Sequence, residues 1–303
     1  MDYDLYHDES KLDGYWHGML LVPKPKRQRM LDLLADARAN ARYSEPLGIK
    51  RVRKENRVFD CAKSWLTVAI ASMRSTAGGE PVPIYLGKSK RGVPQYRLVE
   101  EAPGAKFILF RESDAHQEMT SHPDHASKIE TTFRTGLKGG LHFLGSEQES
   151  IWIDSLHFDG HEHLKRNVDA SRIIGRLEGL RSYCHIPDKS DILHDGSSDH
   201  HRPDAQSYDD CQFLQLTDLL VGSFRTVLLG ATNDLHLRVA YPVESLVLRY
   251  QEGYARMKNS RWWSSFCMSQ CHLEDDHWVF ETMEYEPYYG PAQIALPLQT
   301  GSA

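Results

Sequence analysis

Cysteine is scarce in this chain. There are five in 303 residues, Cys61, Cys184, Cys211, Cys267 and Cys271, odd in number and widely scattered. That excludes a disulfide-stapled secreted scaffold and fits reduced thiols in a cytoplasmic protein. Long apolar runs are missing too, and none approaches the ~18 residues a membrane helix requires. The opening MDYDLYHDES is too acidic and polar for a signal peptide. The expectation is a cytoplasmic protein with no membrane partner. Neither charge sign dominates, since 36 Lys+Arg face 42 Asp+Glu for a net −6, so the chain is not a nucleic-acid glove throughout. Internal repeats and low-complexity linkers are absent. Gly87-Lys88-Ser89 lacks the upstream glycine of a phosphate loop, because position 82 is Val82. His161-Glu162-His163 lacks the second histidine of a zinc-protease helix, because position 165 is Lys165.

What is present is an ordinary globular composition, with aromatics at 10% spread along the length, enough to build a core without staples. The near-neutral average hides an asymmetry. Residues 24–57 hold eleven Lys and Arg against four acids, whereas seven aspartates fall between Asp191 and Asp218. A basic region and a carboxylate-rich region in one chain suit a polyanion held against bound cations. The plain alternative is a solvated surface of mixed sign.

Periodicity orders the chain as hairpin, helices, strands, helix, loop and helix. Residues 2–8 alternate, with Tyr3, Leu5 and His7 on one face and Asp4, Tyr6 and Asp8 on the other, which predicts a strand. A turn over Ser10 to Gly14 and a second strand from Tyr15 to Val22 complete a hairpin. Helices are predicted over 25–42, 56–75, 124–143, 162–182, 210–229 and 242–259, with a hairpin over 81–99 and strands at 106–110 and 150–155. Residues 185–208 read as loop, and 260–303 as an aromatic tail. The mixture without strict βα alternation predicts an α/β or α+β sandwich, helices covering a central mixed sheet, with α/β the leading expectation. The expected division is a main domain over 1–259 and an α-rich, aromatic C-terminal extension over 260–303 packed on it.

Three places offer carboxylates where chemistry could use them. Asp8 and Glu9 stand at the end of the first strand, before Ser10. Adjacent strand residues point to opposite faces, so they share one metal only if the strand ends between them. Asp154 closes the strand SIWIDS. Asp218 lies in FLQLTDLLVGS, where Gln215, Asp218 and Gly222 share one helix face. Each alone is also explained as a turn or a wet helix face. Together they are acids from distant segments. Carboxylates brought that close repel one another unless divalent cations neutralise them.

LYHDES followed by an aromatic strand, and FLQLTDLLVGS near residue 218, resemble the two signature blocks of the domain-of-unknown-function 3800 family. The resemblance covers about residues 2–235, with IWIDS where the family carries an Asp-bearing strand. It implies a ribonuclease-H-like fold and a nuclease acting on DNA or RNA, in a phage-defence or mobile-element setting with partner proteins. It also implies Mg²⁺ or Mn²⁺ held by Asp8, Glu9, Asp154 and Asp218 as metal ligands and catalytic residues. Lys50, Arg51, Arg53, Lys54 and Gln215 are then expected to contact the substrate. One departure counts against this. Many members carry Glu-x-Lys where this chain has Gly48-Ile49-Lys50, so a family acid is lost or is replaced by Glu45, Glu55 or Glu9.

The missing acid motivates a competing reading, a non-catalytic nucleic-acid-binding or scaffold subunit on the same fold. A third reading builds a zinc site on Cys267 and Cys271, an i, i+4 pair on a helix, with His272 and His277. Ordinary thiols beside Trp262 and Trp263 are the alternative. His157, close in sequence to Asp154, is a proton-shuttle candidate or simply polar surface.

Overall fold

The computed structural model describes residues 1–73, 82–89, 91–99, 104–112, 125–144, 151–158, 173, 175, 184–185, 192–194, 202–230, 233–256, 265–274 and 277–286. The first hairpin forms as its alternation predicts. β1 (Asp2–Ser10) pairs antiparallel with β2 (Tyr15–Pro23). Every residue of β2 is buried, the mark of a strand covered on both faces. Around this pair lie α1 (Arg27–Ala41), α2 (Arg57–Met73), β3 (Val82–Lys88), β4 (Pro94–Val99), β5 (Lys106–Glu112) and α3 (His125–Leu144). Then follow β6 (Trp152–Phe158), β7 (Ile192–His194), α4 (Tyr208–Leu228), α5 (Asp234–Arg256), β8 (Phe266–Glu274) and β9 (His277–Thr282). The 162–182 helix falls almost entirely outside the described residues.

The sheet is mixed and seven-stranded, ordered β7-β6-β1-β2-β5-β8-β9, and β3-β4 form a separate two-stranded sheet. β2 runs antiparallel to both its neighbours, β1 and β5, while β6 runs parallel to β1 and β7 parallel to β6. Two cores result. One face of the sheet carries Tyr6, Trp16, Leu20 and Val22 against α1, α2, α4 and α5. The other carries Tyr3, Leu5, Met19 and Leu21 against Phe133, Leu137 and Leu141 of α3. Among the described residues, no helix is long and apolar enough to cross a membrane.

Among the described residues, the C-terminal extension holds strand rather than the expected helix: Phe266–Glu274 and His277–Thr282 form β8 and β9, and β8 joins the main sheet beside β5. Phe266 stacks on Phe224 with centroids 5.2 Å apart, and Phe224 on Phe107 at 5.4 Å, so the extension completes the same core. Its strand pattern was hidden because Phe266, Cys267, Met268, Ser269 and Cys271 are all buried, which leaves no polar–apolar alternation. Cys267 and Cys271 therefore lie on a strand, roughly 13 Å apart by the strand rise, not one helix turn apart. Burial pushes both thiols upward and keeps them protonated. α5 begins at Asp234, eight residues before the expected start, with Pro242 inside it.

Candidate functional site

The alternation of β1 sorts its acids by face. Tyr6 meets Phe213 of α4 at 4.9 Å between centroids, and Ser10 accepts a hydrogen bond from Arg225 of α4. Asp8 sits between them in the same even-numbered row. The part of α4 between Phe213 and Arg225 contains Thr217, Asp218 and Val221. Contact there is close. Gly18, the register partner of Asp8, has no side chain, and a Cβ in its place would run into Val221. Asp8 and Asp218 thus belong to the same face and the same end of the sheet. Glu9 does not. β1 runs unbroken through Ser10, so Glu9 turns to the α3 face, where it accepts a hydrogen bond from Tyr15 and lies 3.7 Å from Lys11.

Asp218 is exposed and is flanked by two features of chain geometry. Gly48 lies against it, and a Cβ added there would stand 2.8 Å from Asp218 Oδ2. Gly222, one turn further along α4, makes room for Ile49 in the same way, with Cγ2 at 2.7 Å from its notional Cβ. The short 3-10 turn Ile49–Arg51 is therefore seated directly on α4 beside Asp218. Gln215 fixes this seat. Its Oε1 accepts the Leu47 N–H at 2.7 Å and the Arg38 Nη2–H at 3.0 Å. Gln215 is buried, and its expected contact with substrate is corrected accordingly. It positions the 47–51 segment rather than facing a ligand.

The cations expected to contact substrate lie around that seat. Lys50, Arg51, Arg53 and Lys54 are all exposed, and none makes an ion pair among the described residues. Other members of the basic 24–57 stretch are consumed internally. Arg38 is half-buried, donates to Gln212 and Gln215, and stacks on Trp65 at 4.4 Å. Lys24 binds Asp154. Arg225 faces Asp13 and Asp218; burial pulls its guanidinium down, and these two carboxylates oppose that shift.

Asp154 does not join Asp8. In the parallel β1–β6 ladder, Tyr3 pairs with Ile153 and Asp4 with Ser155, so Asp154 sits at an irregularity beside the start of β1. That is roughly 15 Å from Asp8 along the strand direction. Its exposed carboxylate is engaged by Lys24, whose pKa this bond raises. The offset is a matter of long-range register, which the local sequence does not encode.

Near Asp154 the structure assembles a cluster that the sequence reading missed. Asp210 Oδ1 accepts from Tyr6 Oη at 2.7 Å and from Arg27 Nη2 at 2.8 Å. Arg27 also lies 3.7 Å from Asp4 and 3.5 Å from Asp209. Ser155 Oγ donates to Asp4 Oδ1 at 2.6 Å and sits 2.8 Å from His157 Nε2. His157 stacks on Tyr6 at 4.4 Å, and its Nδ1 is 3.8 Å from Asp210. It is buried, so it is neither polar surface nor within reach of Asp8. Burial lowers its pKa, and Asp210 and Asp4 oppose that shift. Here Arg27 supplies the positive charge that a cation would otherwise bring, and the cluster ties α1, β1, β6 and α4 together. The usable signal was the repeated (i, i+2) spacing of Asp4-Tyr6 and Ser155-His157.

Among the described residues, no three His, Cys, Asp or Glu side chains converge as metal ligands. Of the acids expected to stand in for the Glu of the resembled motif, Glu55 accepts from Lys88 and Arg238, Glu9 is on the opposite face, and Glu45 is exposed, its backbone carbonyl accepting from Arg38. The chain matches no known protein family, no curated protein and no solved structure.

Proposed function

We propose that this chain is a divalent-metal-dependent nuclease on a ribonuclease-H-like sheet, with Asp8 and Asp218 holding a single Mg²⁺ or Mn²⁺ ion. The mixed sheet is compatible with that scaffold, with β2 antiparallel to β1 and β5 and with β6 and β7 parallel to β1. The carrying observation is that Asp8 and the exposed Asp218 lie toward the same end of the same face, near Lys50, Arg51, Arg53 and Lys54, which make no ion pair among the described residues. Two carboxylates fit Mg²⁺, which keeps several waters and is held by one or two carboxylates plus substrate phosphates. The glycine at 48 lets the backbone approach the Asp218 carboxylate closely. When bound, the ion would lower the pKa of a water and neutralise charge on a phosphate oxygen. The protein itself does the holding. Asp8 and Asp218 supply oxygens, and Lys50 and Arg51 anchor the phosphate backbone without reading sequence. Gln215 keeps that turn in place.

The second reading, a non-catalytic nucleic-acid-binding subunit, is favoured by one observation: Asp154 and Glu9 stand apart from the pair and Gly48 brings no acid. Labelled DNA and RNA substrates incubated with and without Mg²⁺ or Mn²⁺ separate the two. Metal-dependent cleavage, lost in Asp8→Asn and Asp218→Asn, supports the nuclease. Binding without cleavage under every metal condition supports the subunit.

A further inference from the structure

The β3-β4 hairpin stands apart from the main sheet and carries an unusual surface. Tyr96 and Leu98, two apart on β4, are 59% and 63% exposed, and Tyr241 on α5 is 59% exposed. Single exposed apolar residues mean little, but a cluster of them marks a contact surface. Three cations lie beneath this one. Around the buried Phe59 ring stand Lys63 Nζ at 6.0 Å, Lys88 Nζ at 5.9 Å and Arg238 at 5.9 Å. Lys63 is also 5.4 Å from the Tyr85 centroid and 6.0 Å from that of Tyr241, and Tyr85 meets Tyr96 edge-on at 5.8 Å.

Three cations held this close repel one another. Burial, Lys88 and Arg238 together lower the pKa of Lys63, and Asp60 and Glu55 oppose that shift. Glu55 is shared between Lys88 and Arg238, Arg238 also pairs with Asp234 at 3.0 Å, and Asp60 accepts from the Tyr85 hydroxyl at 2.9 Å. These acids balance the three cations, and the surplus positive charge comes from the exposed Lys50, Arg51, Arg53 and Lys54 on the segment that leads up to Glu55, which make no ion pair among the described residues. That surplus calls for an anion. The setting among exposed rings calls for one that also carries flat apolar groups, and a nucleic-acid strand with splayed bases meets both demands. A duplex meets only one, since its bases are already stacked on each other.

The cluster is continuous with the site already described. From Gly48 against Asp218, the chain passes through exposed Lys50 and Arg51, then Val52, whose carbonyl is 2.9 Å from His236 Nε2. It continues through exposed Arg53 and Lys54 to Glu55, at Lys88 and Arg238. Seven residues of chain reach at most about 25 Å, a span within the 4–16 nucleotides such grooves engage.

We propose that Tyr96 and Tyr241, with Lys63, Lys88 and Arg238, form a stacking platform for single-stranded nucleic acid, the far end of a track that begins at Asp218. The track's direction toward Asp218 rests on the nuclease reading, and the platform's preference for a single strand does not.

The test is fluorescence anisotropy in EDTA with labelled 12-nucleotide oligo-dT, oligo-U and a duplex of equal length. Single strands bind more tightly than duplex. Tyr96→Ala and Tyr241→Ala each weaken binding by about tenfold. Lys63→Gln reduces the slope of log affinity against log salt by about 0.7, and Glu55→Gln tightens binding. The preference between oligo-dT and oligo-U assigns DNA or RNA. Unchanged affinity in both tyrosine variants, shown folded by circular dichroism, overturns the platform. So does tighter binding of the duplex, or a solution dimer that Tyr96→Ala dissociates while binding stays at wild-type strength. Because EDTA removes metal, the two ideas fail separately. Intact single-strand binding with no cleavage in Mn²⁺ defeats the nuclease alone, and cleavage with indifferent tyrosine variants defeats the platform alone.

Discussion

Gln215 Oε1 receives the Leu47 N–H at 2.7 Å, across 168 residues of chain, and so fastens the basic turn to the helix that carries Asp218. The same oxygen receives Arg38, which is stacked on Trp65. Gln215→Leu keeps the approximate volume and strands both donors. It is expected to destabilise the fold by about 2–3 kcal/mol and to weaken nucleic-acid binding at Lys50 and Arg51. Gln215→Glu retains the acceptor and should recover most of both. Urea denaturation checks the first effect and anisotropy the second; equal loss in the two variants would argue against the tether.

Arg27 holds together an interior of acids. Replacing it with Met leaves Asp210 and Asp4 poorly compensated in a mostly buried place. A loss of about 2–3 kcal/mol is expected, somewhat under the usual cost of orphaning a buried charge because Arg27 is partly exposed. The double variant Arg27→Met with Asp210→Asn should be more stable than Arg27→Met alone. Additive losses in chemical denaturation would contradict this.

Gly48 offers a gain of function. Its φ of −178° is extended backbone open to any residue, and the neighbouring atom is the movable end of the Asp218 side chain. Gly48→Glu therefore adds a third acid at modest cost. Mn²⁺ affinity measured by calorimetry should rise by roughly tenfold, following the ligand charge count. No rise, with the fold intact, would place the cation elsewhere.

Acid should weaken the fold through its buried histidines. Burial lowers the His157 pKa in the folded chain, so the unfolded chain binds more protons as pH falls below its value of about 6.5. The stability contributed by neutral His157 is thus present above about pH 6.5 and is lost on acidification through the lowered folded pKa. His7, pulled to about 3 by burial, acts in the same direction. Thermal melts of His157→Gln between pH 7.5 and 5 should show a shallower decline than wild type, with the His7 share remaining. An identical decline would remove His157 from the account.

Much of the scaffold was legible in local pattern. The alternation of Tyr3, Leu5 and His7 against Asp4, Tyr6 and Asp8 sorts the faces of β1, and it already implied that Asp8 and Glu9 diverge unless the strand stops. The strand continues to Ser10, and they do diverge. The helix-face spacing of Gln215, Asp218 and Gly222 places all three toward the 47–51 segment, yet composition could not tell that the amide is consumed by backbone. Asp154 was misplaced because a parallel register is set by partners 150 residues away. β8 escapes a local reading because burial of most of its residues erases alternation. Arg27 gave no signal beyond belonging to a basic run, since its partners arrive from β1 and α4.

The central claim is that Asp8 and Asp218 share a cation that substrate phosphates help to hold. Calorimetric titration of Mn²⁺ into the wild-type protein, with and without a non-cleavable phosphorothioate oligonucleotide, tests it most directly. The account predicts one site per chain, tightened by the oligonucleotide, abolished by Asp8→Asn or Asp218→Asn and retained in Asp154→Asn. Binding that survives both of the first two substitutions, or vanishes with Asp154→Asn, would contradict it.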